Sequence, residues 1–214
     1  MSGIIEINYI IIGFTCLISL MAFNNPYWTY KLKHWPHQEV RHGEYYRWLT
    51  SGFLHGDVMH LAFNMITLYF FGRIVEQWFS IVMPDFGGII YLVFYLVAIV
   101  AASSATFFKY RESPSFASIG ASGAVAAVLF ASILILPTNK IYLFFIPIGI
   151  PGFIFGILYL WFSAYEAKRG QDNIDHTAHY YGAIFGFFFP IVFEPGLVPM
   201  FIMQLQAWFA TLGQ

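Results

Sequence analysis

The sequence is poor in charged residues and contains a single cysteine. Only 10% of its 214 residues are Asp, Glu, Lys or Arg, whereas 59% are hydrophobic. Average soluble domains carry about 25% charged residues. A soluble core of this size cannot bury so much apolar surface, so we expect lipid to surround much of the chain. Cys16 has no second cysteine with which to form an intramolecular disulfide.

Basic clusters, linkers and repeats are also missing from the sequence. The formal net charge is −1 and the Lys and Arg residues are dispersed, which argues against a nucleic-acid partner. The first residues, MSGIIEINY, contain no Lys or Arg. We therefore expect the first apolar run to be a retained helix and not a cleaved signal peptide. We predict one domain over residues 1–214, with a core of about 5–195 and a C-terminal tail of 196–214.

Long apolar runs dominate what is present. Isolated strands would leave unpaired backbone groups in lipid, so the runs predict an all-α, polytopic membrane fold. We predict six transmembrane helices, with the bounds Ile4–Phe23, His55–Phe79, Gly87–Phe108, Ser122–Leu136, Ile141–Glu166 and Thr177–Phe193.

Two segments outside these runs are amphipathic. Residues 24–54 are too polar to span, and their Trp and Tyr residues suit the boundary between headgroups and acyl chains. The tail after Glu194-Pro195-Gly196 is short and interrupted by Pro199. We expect it to lie on the membrane surface.

The predicted fourth helix is too short to cross the whole membrane. Its roughly 15 residues rise about 22 Å, whereas the hydrocarbon layer is about 30 Å thick. Ser122, at its start, would therefore lie below one membrane face. Irregular backbone is tolerated at that depth only against protein or a water-filled cavity, so we predict a hydrated cavity at Ser122.

Several polar residues share helix faces with small residues. His60 and Asn64 are four residues apart, and so are Gly182 and Gly186, whose spacing permits close backbone approach. Packing of the fourth helix against that surface would bring Ser122 near a histidine of the sixth helix. A serine hydroxyl needs a base at about 2.6–3.2 Å to become a nucleophile. Taken alone, each pattern is also typical of ordinary helix packing.

The same residues supply the other parts of an acyl-transfer site. His179 would be the base for Ser122, while backbone N–H groups at the start of the fourth helix would stabilise an oxyanion. The only carboxylates near His179 along the chain are Asp172 and Asp175, in the preceding loop. We therefore predict a Ser-His dyad and not a triad.

Together these patterns resemble the rhomboid intramembrane serine proteases. The matching motifs are HxxxxHxxxN, GxSG, AHxxGxxxG and an aromatic–Arg pair, here His55-x4-His60-x3-Asn64, Gly120-Ala121-Ser122-Gly123, Ala178-His179-x2-Gly182-x3-Gly186 and Tyr46-Arg47. The resemblance implies a six-helix core and a catalytic Ser122–His179 dyad. It also implies an oxyanion site of His60, Asn64, Gly120 and the Ser122 N–H, supported by His55, Arg47, Gly123, Gly182 and Gly186.

One position departs from the family pattern. Bacterial relatives often carry Tyr four residues after the serine, stacked on the catalytic histidine, where this chain has Ala126. Tyr180 or Phe71 could supply the missing aromatic ring.

The resemblance further implies transmembrane protein substrates within the lipid bilayer and an active site that opens to the extracytoplasmic side. We expect a multi-pass protein of the bacterial inner membrane that needs no metal or other cofactor. The HExxH pattern of zinc intramembrane proteases is absent. In the orientation that the resemblance implies, Arg73 and Lys140 are the only Lys or Arg residues on the cytoplasmic side. This conflicts with the positive-inside rule, which predicts that most Lys and Arg residues lie on that side.

Two other functions remain open. The protein could be a catalytically inactive rhomboid-like chaperone, although such relatives usually lose the serine or the histidine. It could also be a transporter or channel, a class in which charged residues near mid-membrane and internal repeats are expected.

Overall fold

The computed structural model describes residues 6–143, 146–170 and 174–213 and is mostly helical. In chain order its helices are α1 (Ile7–Asn24), α2 (Pro26–Leu32), α3 (Pro36–His42), α4 (Arg47–Thr50), α5 (Val58–Thr67), α6 (Arg73–Val82), α7 (Gly87–Tyr110), α8 (Ser122–Ile135), α9 (Gly152–Arg169), α10 (His176–Phe188) and α11 (Leu197–Leu212), and its strands are β1 (Lys140–Leu143) and β2 (Ile146–Pro151).

Helix α8 is the centre of the bundle. All of its residues from Gly123 to Leu134 are buried, and it contacts α5, α6, α7, α9, α10 and α11. Its side chains are mainly Ala, Val, Leu and Ile, so an apolar helix of 14 residues is covered by protein on every side. Because its neighbours enclose it, α8 does not need the length of a lipid-facing span.

Three helical stretches are long and apolar enough to cross a membrane: Ile7–Asn24, Val58–Val82 and Gly87–Tyr110. A fourth candidate is the pair His176–Val192 and Leu197–Leu212, which is bent by 111°. Helix α8 is apolar but shorter. By length and composition, the described residues therefore contain three or four candidate spans, fewer than the six predicted.

The stretch Val58–Val82 is one continuous helix with an irregular centre. Residues Leu68–Gly72, between α5 and α6, form a π-helical turn, which was not predicted from the sequence. The amide of Asn8 donates a hydrogen bond to the Leu68 carbonyl at 2.9 Å. A side chain of α1 thus satisfies a backbone group at the place where the regular helical ladder is interrupted.

A buried carboxylate holds the start of α1. Glu76 accepts hydrogen bonds from the backbone N–H groups of Ile7, at 2.7 Å, and Asn8, at 2.9 Å. The Asn8 side chain is fully buried and accepts a hydrogen bond of 2.7 Å from the Tyr91 hydroxyl. Helix N-termini have unpaired N–H groups and favour negative charge, so Glu76 joins α1 to α6.

The segment between α1 and α5 is folded into short helices and is tied together by Arg47. This side chain is only 2% exposed. Its guanidinium donates to the carbonyl oxygens of Tyr30, at 2.8 Å, and Lys33, at 3.1 Å, and it pairs with Glu44 at 2.6 Å. Charge-assisted bonds of this kind are stronger than neutral ones. The predicted position of this segment at the membrane interface stays a prediction.

The predicted fifth helix, Ile141–Glu166, is wrong before Gly152. β1 and β2 form an antiparallel hairpin that pairs Lys140 with Pro151 and Ile141 with Ile150, and α9 begins only at Gly152. Pro147 and Pro151 lack the N–H that a helix interior requires, and proline also disfavours helical backbone at the residue before it. Strand and helix in this run are similarly apolar, so its composition does not show where the hairpin ends and the helix begins.

The predicted tail is also corrected. Residues Leu197–Leu212 form a regular helix, α11, and Pro199 does not interrupt it. Pro199 is the third residue of that helix, where a backbone N–H has no partner within the helix. α11 contacts the end of α8 that is remote from Ser122. There the Gln204 amide donates a hydrogen bond to the Ile135 carbonyl at 3.1 Å.

Candidate active site

Ser122 is the first residue of α8 and is half-buried. The loop before it is held by backbone hydrogen bonds to the segment between α1 and α5. Ser118 and His34 exchange bonds of 3.0 and 2.9 Å, and Gly120 donates to the Ser51 carbonyl at 3.1 Å. Gly120 has φ of +137°, a backbone conformation that favours glycine. The local structure thus places the Ser122 hydroxyl at a helix N-terminus.

Helices α8 and α10 lie side by side at their glycines. A Cβ atom on Gly182 would collide with the backbone of Gly123, and one on Gly186 would collide with the backbone of Ala127. A Cβ atom on Gly123 would in turn lie 3.2 Å from the Ala178 carbonyl oxygen. Gly123 follows Ser122, and Ala178 precedes His179. The chain neighbours of Ser122 and His179 therefore lie so close that a side chain on Gly123 would crowd the backbone of Ala178.

His179 lies in the first turn of α10 among aromatic rings. Its ring centroid is 6.3 Å from that of Tyr159 on α9 and 5.6 Å from that of His176. The Tyr159 contact was not predicted from the sequence, which offered Tyr180 or Phe71 for this place. Since Tyr159 also packs on Phe130 of α8, at 5.5 Å between centroids, it links three helices beside His179.

Asp175 caps α10, and its carboxylate accepts hydrogen bonds from a backbone N–H and a threonine hydroxyl. Its Oδ1 accepts from the Ala178 backbone N–H at 2.9 Å, and both carboxylate oxygens lie 2.9 Å from the donating hydroxyl of Thr106. Asp172, the other carboxylate considered from the sequence, lies outside the described residues.

His60, in the first turn of α5, faces the same small space as Ser122. A Cβ atom on Gly120 would lie 3.4 Å from His60 Nε2 and 3.5 Å from Ser122 Oγ. The two polar atoms thus converge on one glycine that has no side chain to separate them. Asp57 caps this helix by accepting from the His60 backbone N–H at 2.8 Å, which fixes the start of α5 next to the start of α8.

Asn64 is buried and is held by a hydrogen-bond relay that reaches α1. The Ser19 hydroxyl donates to the Phe53 carbonyl at 2.9 Å, so it accepts from His55 Nδ1, 2.8 Å away. With its proton on Nδ1, His55 accepts at Nε2 from the Asn64 amide at 3.0 Å. This bond uses one of the two N–H groups of the Asn64 amide.

The structure gathers some of the residues predicted from the motifs and leaves others outside that group. Those gathered near the first turn of α8 are Ser122, His179, His60, Gly120, Gly123 and Gly182. Gly186 packs one turn further along α8, at Ala127. Asn64 lies one turn after His60 on α5 and bonds His55. His55 contacts the group through Asn64 and the His60 ring, whose centroid is 5.0 Å away. Arg47 does not join it and instead bonds the segment between α1 and α5.

The arrangement provides chemistry for attack on a carbonyl. The hydroxyl of Ser122, the imidazole of His60 and the N-terminus of α8 meet at Gly120, with His179 in the first turn of the adjacent helix α10 and Asn64 one turn after His60 on α5. Such donors stabilise negative charge that develops in a transition state. Among residues 6–143, 146–170 and 174–213, no group of three or more His, Cys, Asp or Glu side chains is arranged to hold a metal ion.

The fold and this site define a multi-pass, helical membrane protein with a serine and a histidine on adjacent helices. A family model of the rhomboid domain matches residues 42–195. The chain belongs to the rhomboid family.

Three curated proteins show the relationship. RHOMBOID-like protein 12, mitochondrial, of Arabidopsis thaliana is 36% identical over 155 residues, which are 66% of this chain and 44% of that protein. Rhomboid protease GluP of Bacillus subtilis is 34% identical over 149 residues, or 70% of this chain and 26% of that protein. Rhomboid protease GlpG of Haemophilus influenzae is 31% identical over 98 residues, or 46% of this chain and 45% of that protein. The chain spans less than half the length of each relative.

Three residues near the site were missed from the sequence: Ser19, His34 and Tyr159. Ser19 lies in an apolar span, where a buried hydroxyl needs a partner, and that rule could have singled it out. His34 and Tyr159 carry no comparable signal, because a histidine or tyrosine in an aromatic-rich membrane protein is unremarkable in sequence.

Proposed function

We propose that this protein is an intramembrane serine endopeptidase in which Ser122 is the nucleophile and His179 is its base. The observation that carries the proposal is the close packing of α8 on α10, where a Cβ atom on Gly123, next to Ser122, would lie 3.2 Å from the carbonyl oxygen of Ala178, next to His179. Membership of a family with relatives named as proteases supports it.

The proposed reaction has two halves. The Ser122 oxygen attacks the peptide carbonyl while its proton passes to His179, and His179 then gives that proton to the leaving amine as the C–N bond breaks. A water molecule attacks the resulting ester, passes a proton to His179 and releases the acid. Ser122 regains its proton from His179, so the side chains end unchanged.

The proposed oxyanion site consists of His60, the side-chain amide of Asn64 and the Ser122 backbone N–H, around Gly120. The convergence of His60 Nε2 and Ser122 Oγ on Gly120 supports this assignment. Removing one such donor typically lowers kcat about 100- to 1,000-fold. His55, held by Ser19, is the positioning residue for Asn64 in this scheme.

We also propose six spans in one domain, residues 1–214, with α1, the continuous α5–α6 helix, α7, α8, α9 and α10 as the spans. α8 is short but enclosed by protein. α9 has 18 residues and rises about 27 Å. Its last turn, with Lys168 and Arg169, is polar and suits a membrane face.

The proposed substrates are membrane proteins cut within or beside a transmembrane segment, near the membrane face where α8 begins. We propose that this face is extracytoplasmic and that the membrane is a bacterial inner membrane. Two relatives named as proteases come from bacteria, which supports a bacterial membrane.

The test is cleavage of a model transmembrane substrate by the purified protein in liposomes, with Ser122→Ala and His179→Ala as variants. Both should lose cleavage while melting at the wild-type temperature. The matched control is Ser132→Ala, because Ser132 lies on the same helix and its hydroxyl donates to the Leu129 carbonyl within that helix. This variant should cleave normally. Cleavage by purified Ser122→Ala would refute the proposal.

A fluorophosphonate probe separates this function from the alternatives. Labelling at Ser122 that is lost in His179→Ala supports the peptidase. A protein that folds but neither reacts with the probe nor cleaves would instead be an inactive rhomboid-like factor.

A further inference from the structure

Helix α11 follows α10 after a sharp turn. The stretches His176–Val192 and Leu197–Leu212 are bent by 111° relative to each other. If α10 crosses the membrane, a bend slightly beyond a right angle leaves α11 close to the membrane plane. Its 16 residues also rise only about 24 Å, which is less than the hydrocarbon thickness of about 30 Å that a span must cross. The geometry therefore favours an in-plane helix over a further span.

One side of α11 contacts three helices of the bundle. Phe201 packs on Phe187 of α10, with 5.6 Å between the ring centroids. Trp208 packs on Phe153 of α9, with 5.2 Å between the ring centroids. Between them, the amide of Gln204 donates to the last carbonyl of α8. These three residues of α11 are spaced by three and four positions, so they share the helix face that is turned toward the protein.

The other sides of α11 are apolar and are not covered by the bundle. Leu197 is the one buried residue among its 16 residues, all of which the structure describes. The apolar side chains that are 42–65% exposed are Val198, Met200, Ile202, Met203, Phe209 and Leu212. The stretch Leu197–Leu212 also contains no Asp, Glu, Lys or Arg. A helix that is hydrophobic all round belongs in a protein core or in a membrane.

Two of the three amide and hydroxyl side chains of α11 bond helix carbonyls. Gln204 donates to the Ile135 carbonyl at 3.1 Å. The Thr211 hydroxyl donates to the Trp208 carbonyl of its own helix at 2.6 Å. Hydrocarbon contains no water to bond polar groups, so such internal bonds are required there. The third side chain, Gln206, is exposed and lies two positions after Gln204, so it points away from the bundle.

Acyl chains fit the bare sides of α11 better than a position among the headgroups does. Helices that lie on the membrane surface carry a strongly charged or polar face, often rich in Lys and Arg, and α11 has no charged side chain. The Phe187 contact places α11 beside the end of α10, where Phe188 and Val192 are 60% and 78% exposed. Those two residues belong to a candidate span, whose outer surface contacts acyl chains. The bare surface of α11 is thus continuous with a lipid-facing surface.

We propose that α11 is an in-plane membrane helix whose bare sides bind the acyl chains of the leaflet remote from Ser122, with Gln206 turned toward the headgroups. The proposal requires α10 to be a span, but it does not depend on the peptidase assignment. It places α11 deeper than the membrane surface expected from the sequence, because the helix has no charged face to hold it among the headgroups. α11 thereby ties the remote ends of α8, α9 and α10 to the depth of the acyl chains.

The experiment measures depth at single nitroxide labels in the full-length protein. Cys16 is the sole cysteine, so Cys16→Ser provides a background for single cysteines in place of Ile202, Met203, Phe209 and Gln206. The labelled proteins are reconstituted in liposomes of phosphatidylcholine and phosphatidylglycerol. Collision rates are measured with oxygen, which concentrates among acyl chains, and with a water-soluble nickel chelate, which does not enter them.

Two further positions calibrate these rates. Val97→Cys, exposed near the middle of α7, gives the lipid reference. Glu112→Cys, highly exposed in the loop after α7, gives the water reference. The ratio of the oxygen rate to the nickel rate should match the lipid reference at the three apolar positions of α11. It should be several times lower at Gln206, on the side turned toward the headgroups.

Three results would overturn the proposal. A ratio at the three apolar positions equal to the water reference would place α11 outside the membrane. Low rates with both reagents would show that protein covers this face, and a disulfide-linked dimer of Met203→Cys would identify a second copy. A ratio that changes steadily from Ile202 to Phe209 would show a helix that crosses the membrane.

A second measurement needs no substitution and decides the matter where a labelled variant does not fold. Hydroxyl radicals oxidise methionine side chains that water reaches. In the unsubstituted protein in liposomes, Met203 should be protected from oxidation. Oxidation of Met203 at the rate of free methionine in the same solution would refute the proposal.

Discussion

Replacement of Gly186 by alanine tests the contact on which the site depends. The added Cβ atom would overlap the Ala127 carbonyl oxygen, carbon and Cα. These are backbone atoms in the centre of α8, so no side-chain rotation can relieve the overlap. Carbon contacts need about 3.5 Å, and α10 must therefore move away from α8 by roughly 1 Å.

The cost can be estimated from that displacement. Overpacking in a closely packed core costs about 1–3 kcal/mol, and we expect the upper end because both surfaces are backbone. At about 2–4 °C per kcal/mol for a chain of this size, Tm should fall by about 6–12 °C. A misplacement of about 1 Å can also lower the rate about 100-fold, since Ser122 and His179 lie on the two helices that separate.

Thermal unfolding in detergent and cleavage in liposomes measure both effects. Gly13→Ala is the matched control, because Gly13 lies within α1 and a Cβ atom there would meet nothing within 4 Å. That variant should melt at or slightly above the wild-type temperature, as alanine favours helix by up to about 1 kcal/mol. Wild-type Tm and activity in Gly186→Ala would refute the reasoning.

Substitutions at three further residues test single contacts. Ser19→Ala leaves the buried His55 Nδ1–H without its acceptor, so kcat should fall about tenfold with little change in KM, as measured by substrate cleavage. Glu76→Gln turns an amide NH₂ toward one of two backbone N–H groups at the start of α1, and Tm in detergent should fall by about 5 °C. Tyr159→Phe keeps the ring beside His179 and should retain kcat, whereas Tyr159→Ala should lower both kcat and Tm.

Each of these variants has a control or a contrary outcome. Ser104→Ala removes a hydroxyl that bonds only the Ala101 carbonyl of its own helix and should behave as the wild type. An equal loss of kcat in Ser104→Ala and Ser19→Ala would contradict a role for the hydrogen-bond relay from Ser19 through His55 to Asn64. An unchanged Tm in Glu76→Gln would show that the carboxylate does not cap α1. Equal losses in the two Tyr159 variants would point to the hydroxyl and not to the ring.

The helical class and the placement of His60, Ser122 and His179 in first turns of helices could be predicted from the sequence. His55, predicted to begin the second helix, instead lies three residues before α5 begins. Composition identifies lipid as the solvent, and residues spaced by three and four share a helix face whatever lies around the helix. The start of α8 at Ser122 and its end before Pro137 followed from glycine and proline signals, which act within a few residues. These features are local, so the chain alone determines them.

Local sequence patterns did not predict the β1–β2 hairpin or the helix α11. An apolar run reads alike as strand or helix in a membrane protein, and a proline within the first turn of a helix costs little. The short helix α8 is stable because neighbouring helices cover it. The sequence of α8 alone does not show that these helices will pack around it.

Only the tertiary structure brings together Glu76 and the start of α1, Tyr159 and His179, and Gln204 and the end of α8. Each contact joins residues far apart in the chain, and which pairs meet depends on how closely glycines let the helices approach. The sequence determined which chemical groups each helix carries on each face. The packing of α8 against α10 decided which of those groups share a site. The small residues where the two helices cross set the distance between the helices, and every distance around Ser122 depends on it.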